Sequence, residues 1–246
     1  MAEGTNEARR VSTRVLWVAG LLGVVGAALY NWWIVAAFTH IMPTTNMLFS
    51  DLEVQGGRYS HLFNSLDFAA SALFLLALLL VGARGRRTEW ITLLWFTVFG
   101  MTGAAFHYSC AEALSASCRS AEWHFQLPLT HYLHMLSGIF EFGAVILVVL
   151  MARRRHGDVP SYWRAVNRAQ VDLLIFALPL IAATYLLDRW EAAIEPILLV
   201  VAASQAVKSL LEPDTAPGED VGISLELLQP HQRALAERDH REGQPR

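Results

Sequence analysis

Charged side chains are scarce in this sequence: Asp, Glu, Lys and Arg make up 17% of its 246 residues, against 54% hydrophobic. That scarcity, with the apolar residues gathered in long blocks, excludes an ordinary soluble domain. Cysteine is limited to Cys110 and Cys118, too few for a disulfide-built scaffold. The chain also lacks an internal repeat, a nucleotide-cradling glycine loop, a GxSxG elbow and an HExxH pair. The nucleotide, serine-hydrolase and zincin chemistries those motifs carry therefore have no footing, and no nucleic-acid partner is expected.

What is present is hydrophobic length. A membrane-spanning helix needs roughly 20 predominantly apolar residues, and six blocks approach or meet that: Val15–Phe38, Leu62–Val81, Trp90–Phe106, Leu133–Met151, Val171–Leu187 and Ala192–Leu211. The third is short, and the fifth contains Asp172 and Pro179. The first reads as a retained span rather than a secretory signal, because its apolar run is too long and no small-residue cleavage site follows. The expected fold is all-α, a polytopic bundle of six transmembrane helices over residues 1–211. From Glu212 the sequence turns polar and rich in Pro and Gly, and residues 212–246 are expected to be a disordered cytoplasmic tail.

Arginine orients the bundle. Arg9, Arg10 and Arg14 precede the first span, Arg84, Arg86 and Arg87 fill the turn "GARGRRTE" between the second and third, and Arg153, Arg154 and Arg155 follow the fourth. The alternate loops hold only Arg58, Arg119 and Arg189. The positive-inside bias puts both termini in the cytoplasm, with three loops outside. Cys110 and Cys118 then lie on the oxidising side, where seven intervening residues allow a small disulfide loop; free thiols or a metal role remain open. In the first span "GLLGVVGAA" offers small residues for close helix packing.

Polar residues inside the spans gather at the outer end. Ser60, Asn64, Asp67 and Ser71 fall at i, i+4, i+7 and i+11, one helical face, with His61 beside it. The third span ends with His107 and Ser109. The fourth opens as "HYLHMLSGIFE", where His131, His134 and Glu141 share a side. A carboxylate in hydrocarbon is costly, so Asp67 and Glu141 should face the bundle interior and find partners there. The expectation is a polar cavity open to the outside, lined by spans two, three and four. Imidazoles suit zinc, and a catalytic zinc keeps three protein ligands and a water: His107, His131 and His134, with His61 as a fourth contender. Asp67 or Glu141 would activate the water, and Ser109 or His61 would position substrate. Plainer readings stand beside this. Interfacial histidines often only anchor or cap, Glu141 could simply bond a neighbouring helix, and Glu191 and Glu195 suit the start of span six. Trp32 and Trp33 read as packing residues, and Tyr59, Tyr108, Trp123, Tyr132 and Trp190 as an aromatic belt.

The segments "YSHLFNSLDFAASALFLLALLL" and "HYSCAEALSASCRSAEWHFQLPLTHYLHMLSG" resemble the bacterial membrane proteins of domain-of-unknown-function family 998, most densely from Tyr59 to Gly138. The resemblance implies six spans and pairing of Cys110 with Cys118, and brings no activity. In chemistry alone the chain is similar to the transmembrane hydrolases that include alkaline ceramidases and adiponectin-receptor-like proteins. That likeness implies zinc on three histidines and a water held by aspartate and serine. The departures are six spans rather than seven, His-x-x-His rather than His-x-x-x-His, and Gly103 where a serine would precede His107. The leading expectation is an outward-facing His/Asp site in a zinc-dependent hydrolase acting on a lipid or lipid-linked ester or amide, among membrane lipids. The alternative is a non-catalytic protein binding a lipid or partner, with the polar cluster as structural core. A transporter ranks third, since the polar residues sit at one end rather than along a through-path.

Overall fold

The computed structural model describes residues 11–39, 41, 47–156, 162–187 and 191–212; the expected tail beyond Glu212, with His40 and Trp190, lies outside them. Every regular element among the described residues is helical. Ser12 starts α1 (Thr13–Tyr30), its Oγ accepting the Val15 amide at 3.4 Å. The first span does not run straight on to Phe38. It breaks at Asn31 and Trp32 and resumes as α2 (Trp33–Phe38). Asn31 supplies a reason: its Nδ2 donates to the Ala27 carbonyl at 2.7 Å and its Oδ1 accepts the Trp33 indole N–H at 2.8 Å, a side chain competing with the helical ladder. The Trp32 amide then reaches the Leu29 carbonyl, three residues back, and the turn tightens.

A 3-10 turn, Phe49–Glu53, leads to α3 (Ser60–Val81). Gly82 ends α3 at φ 66°, its amide bonded to the Leu78 carbonyl at 2.9 Å, and Gly85 at φ 73° completes the reversal into α4 (Arg87–Ala105). This is the hairpin expected from "GARGRRTE". After α4 come the short α5 (Ala116–Trp123), then α6 (Leu129–His156), α7 (Tyr162–Leu187) and α8 (Glu191–Leu211). Pro179 sits inside α7 without ending it.

Five spans are long and apolar enough to cross a membrane: Thr13–Phe38, Ser60–Val81, Leu129–Arg155, Tyr162–Thr184 and Ile194–Leu211. The chain is a multi-pass membrane protein. The expected third span, α4, is not among the five: its 19 residues include Glu89 and four threonines. It packs between α3 and α6, which lets one helix face carry polar groups that lipid would not accept. Trp17, Leu21, Ile139, Ile175 and Phe176 point outward, the reverse of a water-soluble surface.

The small residues of α1 do pack closely. A Cβ on Gly26 would lie 3.2 Å from the Ala70 carbonyl oxygen, and one on Gly23 would lie 2.5 Å from Leu210 Cδ1. This seats α1 between α3 and α8. In the core, the rings of Tyr30, Phe74 and Phe96 meet with centroids 5.9–6.3 Å apart. At the arginine-rich end, Arg155 Nε meets Glu89 at 2.8 Å and the same guanidinium pairs with Glu212, while Arg86 reaches Glu212 at 3.2 Å. The arginines that the sequence uses for orientation thus also tie α4, α6 and the end of α8 together.

Candidate functional site

The opposite end holds a cavity of about 490 Å³, within the size range of small-molecule sites. Its lining comes from α1, α3, α4, α6, α7 and α8, the 3-10 turn, and Trp32 at the break between α1 and α2. Met135, Ile139, Phe142, Ile181, Leu198 and Leu199 make apolar walls. Against them stand four carboxyl groups, Glu53, Asp67, Glu141 and Glu195, with His134, Ser71, Tyr30, Trp32 and Tyr108. Among the described residues, no lysine or arginine lines the cavity.

The break between α1 and α2 aims two donors at these acids. Tyr30 Oη donates to Glu141 Oε1 at 2.8 Å, and Trp32 Nε1 donates to Asp67 Oδ1 at 2.7 Å. Trp32 is therefore more than the packing residue read from the sequence, although it also stacks on Phe63 at 4.0 Å. Asp67 shares a second hydrogen bond with the Glu53 carboxyl. Burial, then the charge of Asp67, push Glu53 well above the ordinary carboxylate range. Glu195 does not simply open α8. It crosses to the 3-10 turn, where Oε2 accepts the Phe49 amide and the carboxyl also meets the Ser50 amide. Nearby, Asp51 takes the Leu48 amide at 3.0 Å. Burial raises its pKa to about 7, against the lowering effect of that bond.

The four histidines expected to share a metal occupy separate settings. His131 is fully buried: its Nδ1 receives the Ser109 amide at 3.3 Å and lies 3.2 Å from the Ser109 hydroxyl, while Nε2 lies 3.1 Å from Glu122. A ring nitrogen that receives a backbone N–H carries the lone pair, so Nε2–H donates to Glu122. Both nitrogens are engaged, and the group pins the segment before the disulfide onto α6. His134 holds Nδ1 against the carbonyls of Gly103 and Phe106, at 2.9 and 2.7 Å. Its proton is on Nδ1, and its Nε2 carries the lone pair. The Tyr108 ring lies 4.8 Å from His131 and 4.0 Å from His134, centroid to centroid. His61 and His107 face each other at 6.1 Å and do not line the cavity. Among the described residues, no three His, Cys, Asp or Glu side chains form a group that could hold a metal ion. Among the described residues the donor set does not fit zinc.

Of the expected catalytic residues, Asp67 and Glu141 do line one space, while Ser109 lies outside it. Cys110 and Cys118 form a disulfide with Cα atoms 6.1 Å apart. The family model described as a protein of unknown function, DUF998, matches residues 22–207.

The chain belongs to the DUF998 family. No curated protein and no solved structure matches it. The family's description carries no activity, so the chemistry must come from the cavity. Sequence reading missed Tyr30, Trp32, Glu53, Tyr108 and Glu195 as cavity residues. The one signal available was Asn31, a helix-disfavoring residue in the middle of an apolar run.

Proposed function

We propose that this membrane protein binds an amphiphile, a lipid or lipid-linked molecule, in the cavity. The observation that carries the reading is the pairing of apolar walls with buried carboxyl groups in one space of about 490 Å³. Ionisable residues within spans are costly and mark sites of function by default, and the broken first span resembles the interrupted helices that line membrane binding sites. The protein is read as residing in a bacterial plasma membrane with six spans, α4 included, and with the cavity end outside. The arginine distribution and the disulfide favour that orientation. The test is lipid extraction and mass spectrometry of the purified protein beside a Gly138→Leu variant. Gly138 lines the cavity, and a Cβ there would meet nothing within 4 Å, so the leucine would occupy ligand space without a clash at its first atom. A co-purifying amphiphile lost in a folded variant supports the reading. Equal lipid content in both would count against it.

A hydrolytic reading has one observation in its favour: His134, with its lone pair on Nε2, lines the same cavity as Asp67 and Glu141. Such a nitrogen is suited to act as a general base toward water beside a lipid ester or amide. Turnover of such a substrate, lost in His134→Gln with binding retained, would establish it. Binding without turnover leaves the first reading.

A further inference from the structure

The chemistry of the cavity goes one step further than its shape. A lone set of acids says little, but here a second group waits beside them. Ser71 Oγ is fully buried, lines the cavity and has no hydrogen-bond partner among the described residues. Gly100 lets the α4 backbone come close to it: a Cβ placed there would lie 2.4 Å from Ser71 Oγ and 3.0 Å from Glu141 Oε1, and all three residues line the cavity. Asp67 lies one helical turn before Ser71 on the same face of α3.

Resting on the reading of the cavity as an amphiphile site, we propose that its ligand carries a protonated amine. It is a long-chain ammonium amphiphile with no neighbouring anionic group, its nitrogen seated on the cavity wall that Glu141, Ser71 and Asp67 line.

Three physical reasons support this. A carboxylate has about four acceptor sites, and Glu141 receives one donor among the described residues, the Tyr30 hydroxyl. An ammonium brings three N–H donors and a positive charge to that deficit. With no lysine or arginine lining it among the described residues, the cavity gives a fatty carboxylate or a phosphate no cationic partner, and such a group would be left desolvated and unpaired. A neutral alcohol supplies a single donor and no charge.

The experiment titrates the full-length protein in nanodiscs of zwitterionic lipid with dodecylamine, dodecanol and dodecanoate, with empty nanodiscs as baseline. Calorimetry reads affinity. The expected result is dodecylamine binding about tenfold or more tighter than dodecanol, the scale of a charge-assisted hydrogen bond, with no binding of dodecanoate. Glu141→Gln and Ser71→Ala should each weaken the amine more than the alcohol, narrowing the difference between them; the wild-type comparison stands even if one variant fails to fold. Dodecanol or dodecanoate binding as well as the amine overturns the ammonium proposal and leaves the amphiphile site intact. No binding by any of the three overturns both.

Discussion

Tyr30 and Glu141 stand 111 residues apart in the chain, and the tyrosine hydroxyl donates to the glutamate carboxyl at 2.8 Å in the buried middle of the bundle. One comes from the last turn of α1, the other from the middle of α6. Their bond fixes where the first span ends its regular run and holds an acid at the cavity wall. Tyr30→Phe keeps the ring contacts with Phe74 and Phe96 and deletes the donor. Leaving a buried acceptor unpaired should cost about 1–3 kcal/mol, read as a lower melting temperature in detergent. Glu141→Gln added to Tyr30→Phe should cost less than the two separate losses combined, because the groups act on each other. Strict additivity would show that the bond is not energetically coupled.

Gly100 and Ser71 form a second coupled pair. Gly100→Ala forces a methyl to within 2.4 Å of Ser71 Oγ, an overpacking worth about 1–3 kcal/mol of destabilisation. Ser71→Ala should restore part of it by removing the oxygen. A Gly100→Ala protein as stable as wild type would mean that α4 does not pack this closely on Ser71.

Reduction should reveal the disulfide. Closing a loop between Cys110 and Cys118, eight positions apart, contributes about 2.5 kcal/mol in the chain-entropy account. Maleimide should label neither cysteine in the denatured protein until a reductant is added. Labelling without reductant would refute the bridge.

The 3-10 turn should give the protein a pH dependence. Burial raises the Asp51 pKa from the ordinary aspartate value of about 4 to about 7, so between those values the folded state holds a proton that the unfolded chain has released. Its contribution is therefore complete below about pH 4, is lost as the pH rises, and is gone above about pH 7. The window is worth on the order of 4 kcal/mol at most. Denaturation midpoints of wild type should fall across that interval. Asp51→Asn, which still presents an oxygen to the Leu48 amide, should flatten part of the slope. An unchanged slope would assign it to other acids, Glu53 first.

Arg155 is the hub of the other end, bridging Glu89 and Glu212. Arg155→Gln should leave two mostly buried carboxylates short of their cation and cost about 3 kcal/mol, at the low end for broken buried pairs because the arginine side chain is 28% exposed. Loss of the melting transition in moderate detergent would be the larger form of the same result; no change would relegate the network to the surface class.

The sequence by itself determined the class. Runs of apolar residues too long for any soluble helix dictate a membrane bundle, "GARGRRTE" dictates a tight hairpin, and the i, i+4, i+7 spacing of Ser60, Asn64 and Asp67 dictates a polar helix face, because these depend only on local period and length. The two cysteines were legible as a feasible bridge for the same reason. Which polar groups meet was not legible. His131 and His134 share a helix face, yet one turns to Ser109 and Glu122 and the other to the carbonyls at the end of α4. Glu195 reads as a helix-start residue and instead reaches a turn 146 positions away. Spacing along a helix says which side chains leave it on one side, whereas the order of helices around the bundle says what each will face. That order follows from packing the glycine stripe of α1 against α3 and α8, and from α4 taking the place between α3 and α6. Only when those faces close does a set of acids scattered over four elements become one cavity.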